Sequence, residues 1–285
     1  MDLMISPVGL KESEYRSLVN LIYEKSGINL GPNKQELVKA RLGKRLRALG
    51  LLSYSDYFKY LTNPSNDAEI SHFINAISTN FTSFYREPRH FDFLTRTVLG
   101  EIAKKKLALR SNKIRAWCAA ASSGEEPYSL GISLLEYFKD LSAWDIKLLA
   151  TDISSKVLAE AFQGVYPQDK VKTAVDATLL KTYFDKIQSE KEPMYRVKDE
   201  VRRLIVFRRL NLMETEFPFK GPFDFIFCRN VLIYFDQPTQ EMIVAKLLKY
   251  LEIGGYLFTS HSENIPMAFR GQVEISAPAV YRKVR

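Results

Sequence analysis

The residues best placed to do chemistry in this 285-residue chain stand at the ends of short apolar runs. After the run 114–118 comes the segment AAASSGEEPYS (119–129). Its small side chains let the backbone approach a ligand closely, Gly124 permits a tight turn, and Pro127 suits the first turn of a helix. The carboxylates of Glu125 and Glu126 would repel a pyrophosphate. They suit a ligand presenting an ammonium group, as the methionine end of S-adenosylmethionine does. The glycine pattern GxGxxG of nicotinamide enzymes and the GKS/T of a P-loop are both missing from this turn. Asp152 follows the run 146–151 and is placed to accept two hydrogen bonds from a ribose diol. Asn211 and Leu212 follow the next run, where an adenine edge could be read, and Arg229-Asn230 follow the fourth. Each position has a competing reading on its own: acids favour helix N-termini, and Asp152 or Ser154 could cap the next helix. In sequence order, however, they match a doubly wound sheet, whose ligands lie beyond the carboxyl ends of the strands near the point where strand order reverses.

Such a crevice requires alternating strands and helices. Strand-like runs at 114–118, 146–151, 204–207, 223–228 and 255–260 alternate with helical stretches near 126–139, 154–162 and 238–251, which predicts βαβ units and a parallel sheet. Residues 164–203 interrupt the alternation with a helix around 177–184 and a charged stretch around 189–203, the pattern of an inserted subdomain. Residues 11–80 read as helical throughout. Tyr15, Leu18, Val19 and Ile22, then Val38, Leu42, Leu46 and Leu49, recur at helical spacing, with Gly27, Gly31-Pro32, Gly50 and Asn63-Pro64 as breaks and Ser53 and Ser65 as candidate N-caps. The expected organisation is a helical unit over 1–80, a linker over 81–110, and an α/β domain over 111–285 carrying an insertion at about 164–203.

Composition narrows the function classes. With 46% hydrophobic and 26% charged residues the chain is globular and not disordered. No apolar run approaches the roughly 18 residues that span a bilayer, and residues 1–10 lack the pattern of a signal peptide, so a cytoplasmic location without membrane insertion is expected. Cys118 and Cys228 make no disulfide framework. With no CxxC pair, and with His72, His90 and His261 scattered, no metal is expected. The formal charge of +8 points to acidic partners. Part of it concentrates on the helix around 34–49, where Lys34, Arg41, Lys44 and Arg45 share a face and no acid lies between Leu37 and Leu49. Arg41, Lys44 and Arg45 are therefore candidate docking residues; the alternative is an ordinary solvated helix face.

Three motifs together resemble a known family. TNFTSFYRE (79–87), AAASSGEEPYS (119–129) and CRNVLIYF (228–235) are similar to those of the chemotaxis receptor methyltransferases, the CheR family, and the resemblance runs over essentially the whole chain. It implies a Rossmann-like methyltransferase domain behind a small all-helical one. The implied activity is methyl transfer from S-adenosylmethionine to glutamates in the cytoplasmic helical domain of chemoreceptors, giving methyl esters. It further implies a monomer recruited to membrane-bound receptors, with no nucleic-acid partner. Carried over by position, Asn80, Thr82 and Arg86 resemble the linker residues that close over the cofactor. Glu125, or its neighbour Glu126, resembles the acceptor for the cofactor's amino group. Asp152 corresponds to the ribose ligand, Asn211-Leu212 to the adenine contacts, and Arg229-Asn230 to further cofactor contacts. Arg86 and Tyr234 resemble the pair that orients the substrate carboxylate, and the Arg41, Lys44 and Arg45 face resembles a receptor-docking patch. Tyr85 departs from the family's usual phenylalanine. Residues 186–194 lack the glycines of members that grip a receptor's C-terminal tail.

The chemistry fits this residue set. A glutamate carboxylate, with an ordinary pKa near 4.3, is already ionised and can attack a sulfonium methyl without a general base. Positioning alone can contribute roughly 7–11 kcal/mol. The Arg86 fork can orient a carboxylate, and Tyr234 can donate one hydrogen bond, although an aromatic in the run 232–235 also reads as core. Rival functions fit less well. Adenine-N6 methyltransferases carry a proline pair after the fourth strand, where this chain has Asn230-Val231-Leu232-Ile233. Cytosine-C5 enzymes need a Pro-Cys nucleophile, and here Cys228 follows Phe227. A non-catalytic cofactor sensor would not need Arg86 and Tyr234, and a small-molecule enzyme would leave the helical unit and the insertion without a task.

Overall fold

The computed structural model describes residues 9–189 and 192–285. Four helices come first: α1 (Glu12–Ser26), α2 (Gln35–Leu49), α3 (Tyr54–Thr62) and α4 (Ala68–Ile77). Their apolar stripes meet in one core, with Tyr15, Leu18 and Ile22 packed among Val38, Leu42, Leu46, Phe73 and Ile77. Ser53 caps α3, accepting from the Asp56 amide. Ser65 caps nothing; its own amide donates to Asn63 Oδ1, which organises the short turn before α4. Gly27 ends α1 at φ +74°, and a Cβ there would lie 3.1 Å from the Phe235 ring, so the helical unit sits closely against the α/β half.

Residues 81–110, expected as a linker, contain α5 (Pro88–Phe93) and α6 (Leu99–Ala108), joined by a π-helical turn over Leu94–Val98. Leu94, Val98, Leu99 and Ile102 are buried in the same core as the first strand. The chain continues through β1 (Lys113–Cys118), α7 (Glu125–Tyr137), β2 (Asp145–Asp152) and α8 (Ser155–Gln163). The insertion follows as β3 (Val165–Pro167), α9 (Gln168–Lys172), α10 (Ala177–Tyr183), β4 (Phe184–Ile187), β5 (Met194–Val197) and α11 (Asp199–Arg202). The main sheet then resumes with β6 (Ile205–Arg209), β7 (Phe223–Phe227), α12 (Gln237–Lys249), β8 (Leu251–Phe258), β9 (Val273–Ala277) and β10 (Val280–Lys283).

The seven-stranded sheet has the order β6-β2-β1-β7-β8-β10-β9; its first five strands are parallel and β10 pairs antiparallel with β8. Strand order therefore reverses between β1 and β7, which opens the crevice at their carboxyl ends. The expected parallel strands are present, but β8 begins at Leu251, ahead of the expected 255. The terminal pair β9 and β10 had no clear sequence signal: most of β9 faces solvent, with Glu274, Ile275 and Ser276 all exposed, so no alternation marks it. The insertion forms a separate antiparallel sheet, β3-β5-β4. In the glycine-free stretch 186–194, Glu190 and Lys191 lie outside the described residues.

Candidate active site

The turn after β1 is built for close approach. Gly124 takes φ +101° at the start of α7, and a Cβ there would come within 2.9 Å of Ala161 Cβ and 2.7 Å of the Tyr166 hydroxyl. The Tyr166 hydroxyl donates to Ser123 O at 2.7 Å, so the insertion braces this turn. Asp152, at the end of β2, ties the turn to the next strand end. Its Oδ2 accepts from the Ser122 amide at 2.8 Å and its Oδ1 from the Ser154 amide at 2.9 Å. Ser154, not Asp152, caps α8. Burial pushes the Asp152 carboxyl above its ordinary value, against the opposing pull of those amides. Each of its oxygens keeps further acceptor capacity for donors from the cavity.

The two glutamates diverge. Adjacent residues on a helix point about 100° apart, so both cannot face one ligand. Glu125 turns into the protein, accepting from Ser123 Oγ at 2.8 Å and pairing with Lys170 of α9. It does not reach the cavity wall. Glu126 does, with Oε2 accepting from Arg229 Nη1 at 2.7 Å and Oε1 from the Cys118 thiol at 3.3 Å. Burial raises the Glu126 carboxyl, and Arg229 opposes that rise.

Arg229 is 4% exposed and organises the far wall. Its Nη2 donates to Arg86 O at 2.6 Å and lies 3.1 Å from Glu87 Oε2, while its guanidinium packs on the Phe91 and Phe227 rings. Burial pushes the Glu87 carboxyl up, yet Arg229, with smaller contributions from His90 and His261, holds Glu87 below its ordinary value. The loop after β7 is pinned by Glu263, whose carboxylate accepts from the amides of Asn230 at 2.9 Å, Ser260 at 2.8 Å and Ile233 at 3.3 Å. That clamp holds Asn230 at φ +56° and sets Tyr234 against the cavity.

The remaining wall comes from the helical unit and the segment following it. Asn80 O accepts from Ser122 Oγ at 3.0 Å, and Arg86 Nη1 donates to Phe81 O at 2.9 Å. The Asn211 carboxamide donates to Lys25 O at 2.8 Å and accepts from the Met213 amide at 3.0 Å, which fixes its orientation and leaves one N–H and one lone pair over. The resulting cavity measures about 390 Å³. Asn80, Thr82, Arg86, Glu126, Asp152, Asn211, Leu212, Arg229, Asn230 and Tyr234 all line it.

The charged side chains of α2 differ in their surroundings. Arg45 forms a fork with Glu69 of α4, Nε to Oε1 at 2.6 Å and Nη2 to Oε2 at 2.5 Å, and the Tyr57 hydroxyl adds a third donor at 2.9 Å. Arg41 donates to Ile77 O and to Thr79 Oγ1, and it lines the cavity. Lys44 remains exposed. The absence of acids within α2 said nothing about the acid that α4 brings opposite it. The sequence also gave no signal for the roles of Glu87, Glu263, His90 and His261. Nor are the histidines all scattered: the His90 and His261 rings lie 4.7 Å apart.

Comparisons with known proteins found two family-model matches and several relatives. Residues 13–78 match the family model described as CheR methyltransferase, all-alpha domain, and residues 80–280 match CheR methyltransferase, SAM binding domain. The chain is 37% identical over 279 residues to a chemotaxis protein methyltransferase of Borreliella burgdorferi, covering 97% of this chain and 96% of that one. It is 40% identical over 261 residues to a chemotaxis protein methyltransferase of Salmonella typhimurium, covering 92% and 87%. Among solved structures, an O-methyltransferase family protein from Burkholderia thailandensis aligns at TM-score 0.35 and 10% identity over 72% of this chain and 43% of that one, too weak a likeness to carry an argument.

Proposed function

The chain belongs to the CheR methyltransferase family, and from that premise we propose that it transfers a methyl group from S-adenosylmethionine to glutamate side chains in the cytoplasmic helical domain of chemoreceptors, giving methyl esters. One observation carries this reading: the strand-end acids Asp152 and Glu126 share a single cavity with Arg86 and Tyr234. When bound, S-adenosylmethionine supplies an electrophilic methyl group on a sulfonium.

Each residue then has a distinct task. Asp152 holds the ribose diol on the acceptor capacity its two amide bonds leave free. Glu126, paired with Arg229 in a buried setting, takes the ammonium group, a task that Glu125 cannot share while paired with Lys170. The backbone at Asn211-Leu212 receives the adenine edge, and Asn80, Thr82 and Asn230 complete the enclosure. Arg229 is a positioning residue, since its bond to Arg86 O fixes where the Arg86 side chain departs. Arg86 orients the incoming carboxylate with its planar fork, and Tyr234 donates a hydrogen bond to it. The target carboxylate is already ionised, so the site needs no general base. Near this mouth Phe81 is 77% exposed and Ile233 49% exposed, apolar surface suited to a receptor helix and inaccessible in a closed small-molecule site. No helix among the described residues is long and apolar enough to cross a membrane.

The test is incubation of the chain with methyl-labelled S-adenosylmethionine and receptor-bearing membranes, followed by mild base. Release of volatile methanol is the expected result, because carboxyl methyl esters hydrolyse there. A label that survives base would place the methyl on nitrogen, carbon or an ether oxygen and would overturn the reading.

A further inference from the structure

Behind Arg229, outside the cavity, three side chains far apart in sequence converge: Glu87 just before α5, His90 within α5, and His261 after β8. His90 is 2% exposed, and its Nε2 lies 3.1 Å from Pro278 O. A backbone carbonyl only accepts, so this contact makes Nε2 the donor and leaves Nδ1 carrying a lone pair. That Nδ1 faces Glu87 Oε2 at 3.3 Å, and a carboxylate oxygen also only accepts. Two buried lone-pair atoms therefore confront each other, and neither has a hydrogen-bond partner among the described residues. Arg229 Nη2, 3.1 Å from the same oxygen, is near enough for ion pairing but does not meet hydrogen-bond geometry. This arrangement belongs to the neutral ring, the form in which an imidazole binds a metal.

Buried polar atoms left without partners require an explanation, and a bound ion is one. His261 supplies the third group, with Nε2 3.8 Å from Glu87 Oε2, and all three ligand atoms lie within 4.8 Å of one another. Tetrahedral zinc, with bonds of about 2.0–2.2 Å, holds its ligand atoms roughly 3.3–3.6 Å apart, so the two separations from Glu87 Oε2 are near that spacing and the two rings would close on the ion. The charge balance also favours a cation: Glu87 and Glu126 stand against the single positive charge of Arg229. We propose that Glu87, His90 and His261 form a three-ligand site for a divalent transition-metal ion of the zinc class, with a fourth position open to water beside the half-exposed His261. Two imidazoles and one carboxylate make a ligand set that suits zinc. Such an ion would draw Glu87 away from Arg229, which also holds Glu126 and the Arg86 carbonyl, and so would couple metal occupancy to the cavity. The site itself does not rest on the methyl-transfer reading.

The full chain, stripped with a chelator, is titrated with zinc chloride in competition with a chromophoric chelator. The expected result is one zinc per chain, and cobalt(II) in its place should give the intense visible bands of a four-coordinate ion. His261→Ala should weaken zinc binding by at least roughly tenfold, since losing even a hydrogen-bond partner of a ligand costs about 10–100-fold. His72→Ala, an exposed histidine outside the cluster, should bind as the parent does. Failure of the parent chain to bind zinc stoichiometrically overturns the site, as does equal affinity in His261→Ala and His72→Ala. Zinc-edge X-ray absorption gives a result independent of any variant: nitrogen and oxygen ligands support the site, and a sulfur ligand from Cys118 or Cys228 defeats it.

Discussion

Each half of the molecule buries an arginine–glutamate pair, and the two pairs are built for opposite ends. In the helical unit, Arg45 and Glu69 meet as a full fork, and Tyr57 takes up further acceptor capacity on the carboxylate. Nothing there is left for a ligand. In the crevice, Arg229 meets Glu126 through one nitrogen, gives another to a backbone carbonyl, and leaves its Nε without a partner among the described residues. Glu126 in turn faces a cavity. A saturated pair holds helices together, whereas an incompletely satisfied one keeps charge in place for something that has yet to arrive.

Removing Arg229 should have the largest effect. Arg229→Met leaves Glu126 and Glu87 buried without their cation, and stranding a buried charge costs about 3–5 kcal/mol. Urea unfolding should show a loss of that size together with weak S-adenosylhomocysteine binding. A loss under about 1 kcal/mol would mean that the crevice carboxylates are protonated or hydrated and that the contrast between the two pairs is false. Arg45→Met should cost somewhat less, about 2 kcal/mol, because the Arg45 side chain is 27% exposed and water can partly replace it. Calorimetry should find S-adenosylhomocysteine affinity unchanged in that variant. Adding Glu69→Leu should restore much of the stability, since an apolar pair often replaces a buried ionic one without net cost.

Asp152→Asn sharpens the account of the crevice floor. Hydrogen bonds to a charged group are worth roughly 1.5–3 kcal/mol, so calorimetry should show about ten- to a hundredfold weaker S-adenosylhomocysteine binding. Burial holds the Asp152 carboxyl above its ordinary value, so acidification removes its charge earlier than for a free aspartate. Affinity in the parent chain should fall as pH drops through that raised value, and more steeply than in the asparagine variant, where only Glu126, also raised by burial, still titrates against the ligand. A parent profile no steeper than the variant's would reduce Asp152 to a brace between Ser122 and Ser154. Lys44→Glu should have the smallest effect. As an exposed charge it should change receptor methylation by no more than about twofold at low salt, and salt should abolish the difference.

The strand-end turns were legible because their requirements are contiguous. Gly124, the small residues before it, Asp152 and the Arg229-Asn230 pair each answer to the backbone of their own turn, and they appear at the expected strand ends. The α2 charges were not legible in the same way. Their counting along one helix found no acid, while the partner of Arg45 comes from α4. The edge strands β9 and β10 escaped because a mostly exposed strand has no two-residue alternation to read. The Glu87, His90 and His261 cluster escaped because its members come from separate elements.

By itself the sequence determined the doubly wound plan, the helical unit ahead of it, the insertion and the turn chemistry at each strand end, since all of these follow from local periodicity and short-range backbone demands. Only the tertiary structure decided which of Glu125 and Glu126 faces the crevice, which groups the arginines of α2 bond to, and which distant side chains meet behind Arg229. Those outcomes depend on how far each helix is rotated about its axis and what lies opposite it. Packing across the core sets both, and no spacing along a single element records either.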